Sequence, residues 1–192
     1  MASELRLCNI HPTEIGPDPL GGRSVTDLEG YQLDPEVQCV IVGLDYEFSF
    51  VKAAKAAMYL QNKSCLFVAT NTDSNIPTAS GRLIPCAGSI VSMVQTACQR
   101  RPDVICGKPN QPMYDVITAK QKIDRRRTLF IGDRLNTDIL FAGRAGFQSL
   151  LVLSGVSTMD DVHCKETSMS EEDQRSVPNY VTQSLAELGR LL

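Results

Sequence analysis

Apolar and polar positions along this chain follow two rhythms: short, mainly apolar runs, and longer stretches with helical spacing. Val37 to Leu44, Cys65 to Thr70 and Phe147 to Leu153 are mainly apolar runs. Runs of this length bounded by turn residues predict buried strands. About Phe48 to Gln61 predicts a helix, and Ser89 to Arg100 predicts another with Ile90, Val91, Met93, Val94 and Ala97 on its apolar side. Two further strands end at Lys108 and Asp133. A helix near Pro112 to Lys122 separates them, and a helix closing at Gly143 or Gly146 follows. Residues 1 to about 36 read as irregular, with turns at Gly16-Pro17-Asp18-Pro19 and Gly21-Gly22. Asn71 to Gly81, rich in Asn, Thr, Ser and Pro, reads as a loop. Met159 to Val177 reads as a polar, mobile stretch, and Asn179 to Leu192 as a closing strand and helix. Alternating strand and helix predict an α/β fold with a mainly parallel sheet. There is no internal repeat.

Composition narrows the function classes. A hydrophobic content of 43% with 21% charged residues argues against disorder and against a fibre. The 192 residues suffice for one or two domains. A net charge of −3 gives no basic footprint for nucleic acid, and Arg125-Arg126-Arg127 reads as a solvated helix end. No apolar stretch approaches the roughly 20 residues of a membrane helix, and Met1 to Ile10 lacks a signal peptide's apolar core. The 7 cysteines are scattered, with no Cys-x-x-Cys pair, which points to free thiols in a reducing, cytoplasmic setting. With only His11 and His163, neither a zinc site nor a histidine-based nucleophile relay is expected.

The densest chemistry lies between residues 129 and 140. The run Leu129-Phe130-Ile131 breaks at Gly132 and delivers Asp133, with a second acid at Asp138 before Ile139 and Leu140. A strand whose carboxyl end presents an acid before a helix occupies the place where open α/β sheets bind ligands. A carboxylate there suits Mg²⁺, a hard cation that keeps positions for water and phosphate. Gly-Asp alone is common in α/β proteins as a tight turn with a helix cap. The second acid and a lysine favour the functional reading here. That lysine is Lys108, in Gly107-Lys108-Pro109 after the apolar Val104-Ile105-Cys106. As a compact point charge it can neutralise a phosphate and a neighbouring carboxylate. The 25 residues from Lys108 to Asp133 allow one helix and one strand, so neighbouring strand ends could bring the two together.

These segments carry a family resemblance. Gly107-Lys108-Pro109 and Gly132 to Leu140 resemble the third and fourth motifs of haloacid dehalogenase superfamily phosphatases. Val42 to Phe50, Ala69-Thr70-Asn71-Thr72-Asp73 and Leu153-Ser154-Gly155-Val156-Ser157 resemble the branch containing phosphoglycolate phosphatase and pyridoxal phosphatase. The resemblance runs from about Gly16 to the C-terminus. It implies a partial doubly wound, Rossmann-like haloacid dehalogenase core plus an α/β cap domain. Residues 1–34 would be an irregular lead-in, 35–100 the cap, and 101–192 the C-terminal half of the core. It further implies Asp133 as Mg²⁺ ligand, Lys108 orienting phosphate and nucleophile, and Asp138 holding the site through hydrogen bonds. The cap loop Asp73-Ser74-Asn75-Ile76-Pro77 resembles the segment that reads substrate, with Asn75, Ile76 and Pro77 as substrate-binding residues. Pyridoxal phosphatases have His before this Pro, so Ile76 leans toward phosphoglycolate.

Two family motifs are not found. No Asp-x-Asp occurs anywhere in the sequence, although the family uses that pair as nucleophile and general acid/base. A Thr or Ser motif near the N-terminus also lacks a good candidate. Asp45 follows an apolar run, but its second following residue is Glu47, and the resemblance places the segment in the cap. The chain therefore resembles a family member without its first part. Loss of the mid-sheet nucleophile strand would leave an apolar strand edge unpaired, and one carboxylate fewer would make Mg²⁺ binding weak. Two function classes stay open. The first is a Mg²⁺-dependent phosphomonoesterase of the phosphoglycolate phosphatase type, acting on a small phosphorylated metabolite but inactive in this form. The second is a non-catalytic regulatory partner that binds a full-length paralogue through the cap, because caps in this branch form homodimers.

Overall fold

The computed structural model describes residues 1–13, 24–78 and 80–189. The turn signals at Gly16 to Pro19 and Gly21-Gly22 lie outside the described residues. Two short helices come first, α1 (Ala2–Leu7) and α2 (Val25–Glu29). Both lie in the region expected to be irregular. The missed signal at α2 is a capping box, in which the Ser24 hydroxyl accepts from Asp27 N while the Asp27 carboxylate accepts from Ser24 N.

The first parallel sheet joins β1 (Cys39–Val42), β2 (Leu66–Ala69) and β5 (Val104–Ile105) in the order β1-β2-β5, so its third strand comes from beyond residue 100. In register, Val40 lies beside Phe67 and Val42 beside Ala69. This face packs against α3 (Phe50–Leu60) and α4 (Ala87–Cys98) in a core of Val42, Leu60, Phe67, Ile90, Val91 and Val94. Leu66, one position out of phase, is exposed, as the two-residue period of a strand requires. On α4 the buried stripe is Ala87, Ile90, Val91 and Val94. Met93 and Ala97 fall outside that i, i+3, i+4, i+7 stripe and are exposed, a correction to the expected apolar side.

Asn71 to Gly81, expected as a loop, contributes to an antiparallel hairpin of β3 (Asn75–Pro77) and β4 (Leu83–Pro85). Prolines at both strand ends hid it, since proline rarely marks a ladder position.

After α5 (Gln111–Lys120) the chain enters the second parallel sheet, ordered β6 (Leu129–Gly132), β7 (Gln148–Val152) and β8 (Tyr180–Thr182). Arg125–Arg127 forms a turn of 3-10 helix before β6. A π-helical turn (Leu135–Ile139) runs into α6 (Leu140–Ala145), which closes at Gly146. Phe130, Phe141, Ala145 and Phe147 pack with Tyr114 and Ile117 of α5, and Leu135, Ile139 and Leu151 pack with Val162. Among the described residues β6 pairs only with β7, and Leu129 and Ile131 are exposed, so an apolar strand edge is open. Met159 to Val177, expected to be mobile, instead folds into α7 (Met159–Glu166) and α8 (Glu171–Arg175). A capping box of Thr158 and Asp161 starts α7, and an ion pair from Lys165 to Asp173 ties the two helices. A short helix, α9 (Leu185–Leu188), follows β8. The architecture is α/β with parallel sheets.

Candidate functional site

The carboxyl ends of β2, β5 and β6 converge on a cleft of about 320 Å³. Asn71 and Asp73 follow β2, Lys108 follows β5, and Asp133 and Arg134 follow β6; the π-helical turn adds Thr137 and Asp138. Strand ends in an α/β fold are the expected place for a ligand. Lys108, Asp133 and Asp138, picked from the sequence on separate segments, line this one cleft.

Asp138 organises it. Its side chain is 5% exposed, and it accepts a 2.5 Å hydrogen bond from Lys108 Nζ on Oδ1. Its Oδ2 accepts from the backbone N–H groups of Asp133 at 3.2 Å and Arg134 at 3.1 Å. Both carboxylate oxygens are thus committed. The buried charge is stabilised by an ammonium and two amides, the compensation that burial of a carboxylate demands. The wide π-helical turn returns the fifth residue after Asp133 onto Asp133 itself, a geometry found often at functional sites. Gly132 makes room for it, because a Cβ there would overlap the Asp138 side chain.

Asp133 is held from the opposite side. Its Oδ2 accepts from Val156 N at 3.1 Å and its carbonyl from Ser157 N at 2.9 Å, while Ser157 Oγ accepts from Leu135 N at 3.1 Å. Gly155 lies so close that a Cβ would overlap the Asp133 carboxylate. The loop after β7 therefore fixes the carboxylate's orientation. In the sequence this loop shows only as Gly155-Val156-Ser157, a Gly-x-Ser step directly after a buried strand.

Arg134 and Asp73 were not singled out. The Arg134 guanidinium lies 3.7 Å from Asp73 Oδ1 and 3.5 Å from the carbonyl of Asn75. Asn75, Ile76 and Pro77 form β3 and are not among the residues lining the cleft, whereas Asn71 and Asp73 before them are. Asp45 follows β1 at the same edge of the first sheet, but its carboxylate accepts from Glu47 N at 2.9 Å and Lys52 Nζ at 2.6 Å and does not line the cleft. The hydrogen bond from the Lys52 ammonium holds its carboxyl below the usual range. Its role is a turn and an ion pair.

The donor set bears on the metal. Asp133 is the one cleft carboxylate that follows β6 without both oxygens committed, and no group of three or more His, Cys, Asp or Glu able to hold a metal occurs among the described residues. A lone carboxylate oxygen is a hard donor, of the kind that suits Mg²⁺ better than a softer metal.

A family model described as haloacid dehalogenase-like hydrolase matches residues 11–146, and a HAD-hydrolase-like model matches residues 105–188. The chain belongs to the haloacid dehalogenase-like hydrolase family. It is 38% identical over 188 residues to glycerol-3-phosphate phosphatase of Homo sapiens, covering 98% of this chain and 58% of that protein. Chronophin of Homo sapiens is 40% identical over 188 residues, with the same 98% and 58% coverage. A solved glycerol phosphate phosphatase of Mycobacterium tuberculosis in complex with magnesium superposes with a TM-score of 0.65 at 34% identity, covering 79% of this chain and 42% of that one. The chain thus spans 58% of the length of these curated relatives. Its α/β fold is that of the family, a Rossmann-like core plus a cap.

Proposed function

We propose that this chain carries the phosphate- and metal-handling side of a phosphomonoesterase site of the phosphoglycolate phosphatase type. The observation that carries the reading is the Lys108–Asp138–Asp133 arrangement, three charged groups from two strand ends fixed in one small cleft. Lys108 places a positive charge at the cleft, where it can meet a phosphate dianion and remain anchored to Asp138. Val156 N holds one oxygen of Asp133 and leaves the other for a cation. Asp133 would hold Mg²⁺, which supplies charge neutralisation at the phosphoryl oxygens when bound. With one carboxylate in place, binding is weak and shared with substrate phosphate. The name of one relative, glycerol-3-phosphate phosphatase, supports a small phosphorylated metabolite as ligand. The seven scattered thiols support a reducing, cytoplasmic setting, and no helix among the described residues is long and apolar enough to cross a membrane.

These 192 residues contain no Asp-x-Asp, so the covalent phospho-enzyme step has no nucleophile and the chain binds phosphomonoesters without turning them over. Assayed with p-nitrophenyl phosphate and phosphoglycolate in Mg²⁺, the purified chain should match the blank. Joined to the Asp-x-Asp and Thr-motif segment of a close relative, it should hydrolyse both, and Asp133→Ala should remove that activity. A folded chimera with no turnover would contradict the reading. A second reading, a cap-mediated partner of a full-length paralogue, draws support from the hairpin, where Ile76, Leu83 and Ile84 are exposed.

A further inference from the structure

The cleft holds two cations in unlike states. Lys108 is anchored to a buried carboxylate at 2.5 Å. Arg134 is not: its contacts to Asp73 at 3.7 Å and to the Asn75 carbonyl at 3.5 Å are longer than the roughly 2.8 Å of a charge-assisted bond. A guanidinium offers five N–H donors in a rigid fork that matches a carboxylate. Here two long contacts occupy that fork. The side chain is nonetheless well placed, being 20% exposed at the cleft wall, with its backbone N–H fixed on Asp138 Oδ2 at 3.1 Å. Its backbone is therefore anchored to the same carboxylate that anchors Lys108. Asp73, 41% exposed on the facing loop, is itself a carboxylate and occupies the guanidinium only loosely.

We propose that Arg134 is a specificity-determining residue that receives a second anionic group, a carboxylate, on a phosphomonoester whose phosphate lies at Lys108, with Asp73 holding the guanidinium in place until that ligand arrives. The inference rests on the phosphomonoester reading above. It names the ligand class as small molecules carrying both a phosphate and a carboxylate, because Lys108 and Arg134 line one cleft, and it disfavours those whose remaining groups are neutral hydroxyls. The preference comes from charge and fork geometry. A hydroxyl offers a guanidinium a single neutral acceptor, whereas a carboxylate takes two parallel N–H bonds.

Titration calorimetry on the whole chain in Mg²⁺ tests this with three probes: inorganic phosphate, 2-phosphoglycolate and glycerol 3-phosphate. Arg134→Gln should lower the affinity for 2-phosphoglycolate about tenfold, the loss of one charge-assisted pair, and change the other two by less than about twofold. Arg134→Lys should restore only part of the difference, because an ammonium lacks the fork. Asp73→Asn, which removes the competing carboxylate, should tighten 2-phosphoglycolate alone. Equal losses across the three probes in Arg134→Gln, or unchanged selectivity in Arg134→Gln and Asp73→Asn, would overturn the inference while leaving the phosphate site standing. A wild-type chain that binds none of the three at millimolar concentration would overturn the phosphomonoester reading and this inference with it.

Discussion

Replacing Asp138 by alanine removes the acceptor on which the candidate site is built, and the cost follows from its contacts. Asp133 N and Arg134 N each lose their bond to Oδ2. A donor left without its partner costs about 1–3 kcal/mol, and the lower end applies because both residues are half-buried and water can reach them. The ion pair to Lys108 is lost as well. Its ammonium side chain is 36% exposed, so screening limits this contribution to about 1 kcal/mol. The total is about 3 kcal/mol, a large share of the roughly 5–15 kcal/mol that a domain has. At about 2–4 °C per kcal/mol for a chain of this size, the Tm should fall by about 6–12 °C. Asp138→Asn keeps one oxygen for the two amides but loses the charge and turns its Nδ2 donor toward the Lys108 ammonium, so it should cost about 2 kcal/mol, less than Asp138→Ala. Urea unfolding followed by circular dichroism measures both variants at matched m-values. An Asp138→Ala cost below about 1 kcal/mol, or an Asp138→Asn cost equal to that of Asp138→Ala, would refute the idea that this carboxylate clamps the site.

Further outcomes follow from other contacts. Gly155→Ala should displace the Asp133 carboxylate, because its Cβ would overlap that group; phosphate affinity in Mg²⁺ should drop several-fold more than overall stability does, and an unchanged titration would count against the loop's positioning role. The Asp45 carboxyl is depressed by Lys52, so its contribution to stability is fully present above the unfolded carboxyl value of about 3.9 and is lost as pH falls through the lower folded value. Accordingly, the Lys52→Met and wild-type stability curves should separate near neutrality and draw together as the solution is acidified, and a gap that stays constant throughout acidification would contradict this. In the chimera with a restored Asp-x-Asp segment, Ile76→His should move the kcat/KM ratio toward pyridoxal phosphate and away from phosphoglycolate; an untouched ratio would show that β3 does not read substrate.

The sequence made some of this legible and hid the rest for identifiable reasons. Lys108, Asp133 and Asp138 could be picked out because residue type and spacing at strand ends restrict the chemistry, and one cleft brings them together. The parallel strands were legible from mainly apolar runs. The hairpin of β3 and β4 was not, because its strands are three residues each and carry Pro77 and Pro85. Helices α7 and α8 were missed because their stability rests on a capping box and an ion pair, and they bury little besides Val162, so no apolar period announces them. Arg134 stood in plain view inside a motif. Its significance depends on Asp73 and Asn75, which only the fold brings near.

The central claim, that Lys108 and Asp133 form a phosphate site, is tested most directly by titrating inorganic phosphate into the chain in the presence of Mg²⁺ and repeating the titration with Lys108→Ala. The account predicts saturable binding to the wild-type chain that Lys108→Ala reduces at least about tenfold, the worth of one charge-assisted contact to a dianion. Equal affinity in the two proteins, or no binding to either, would contradict it.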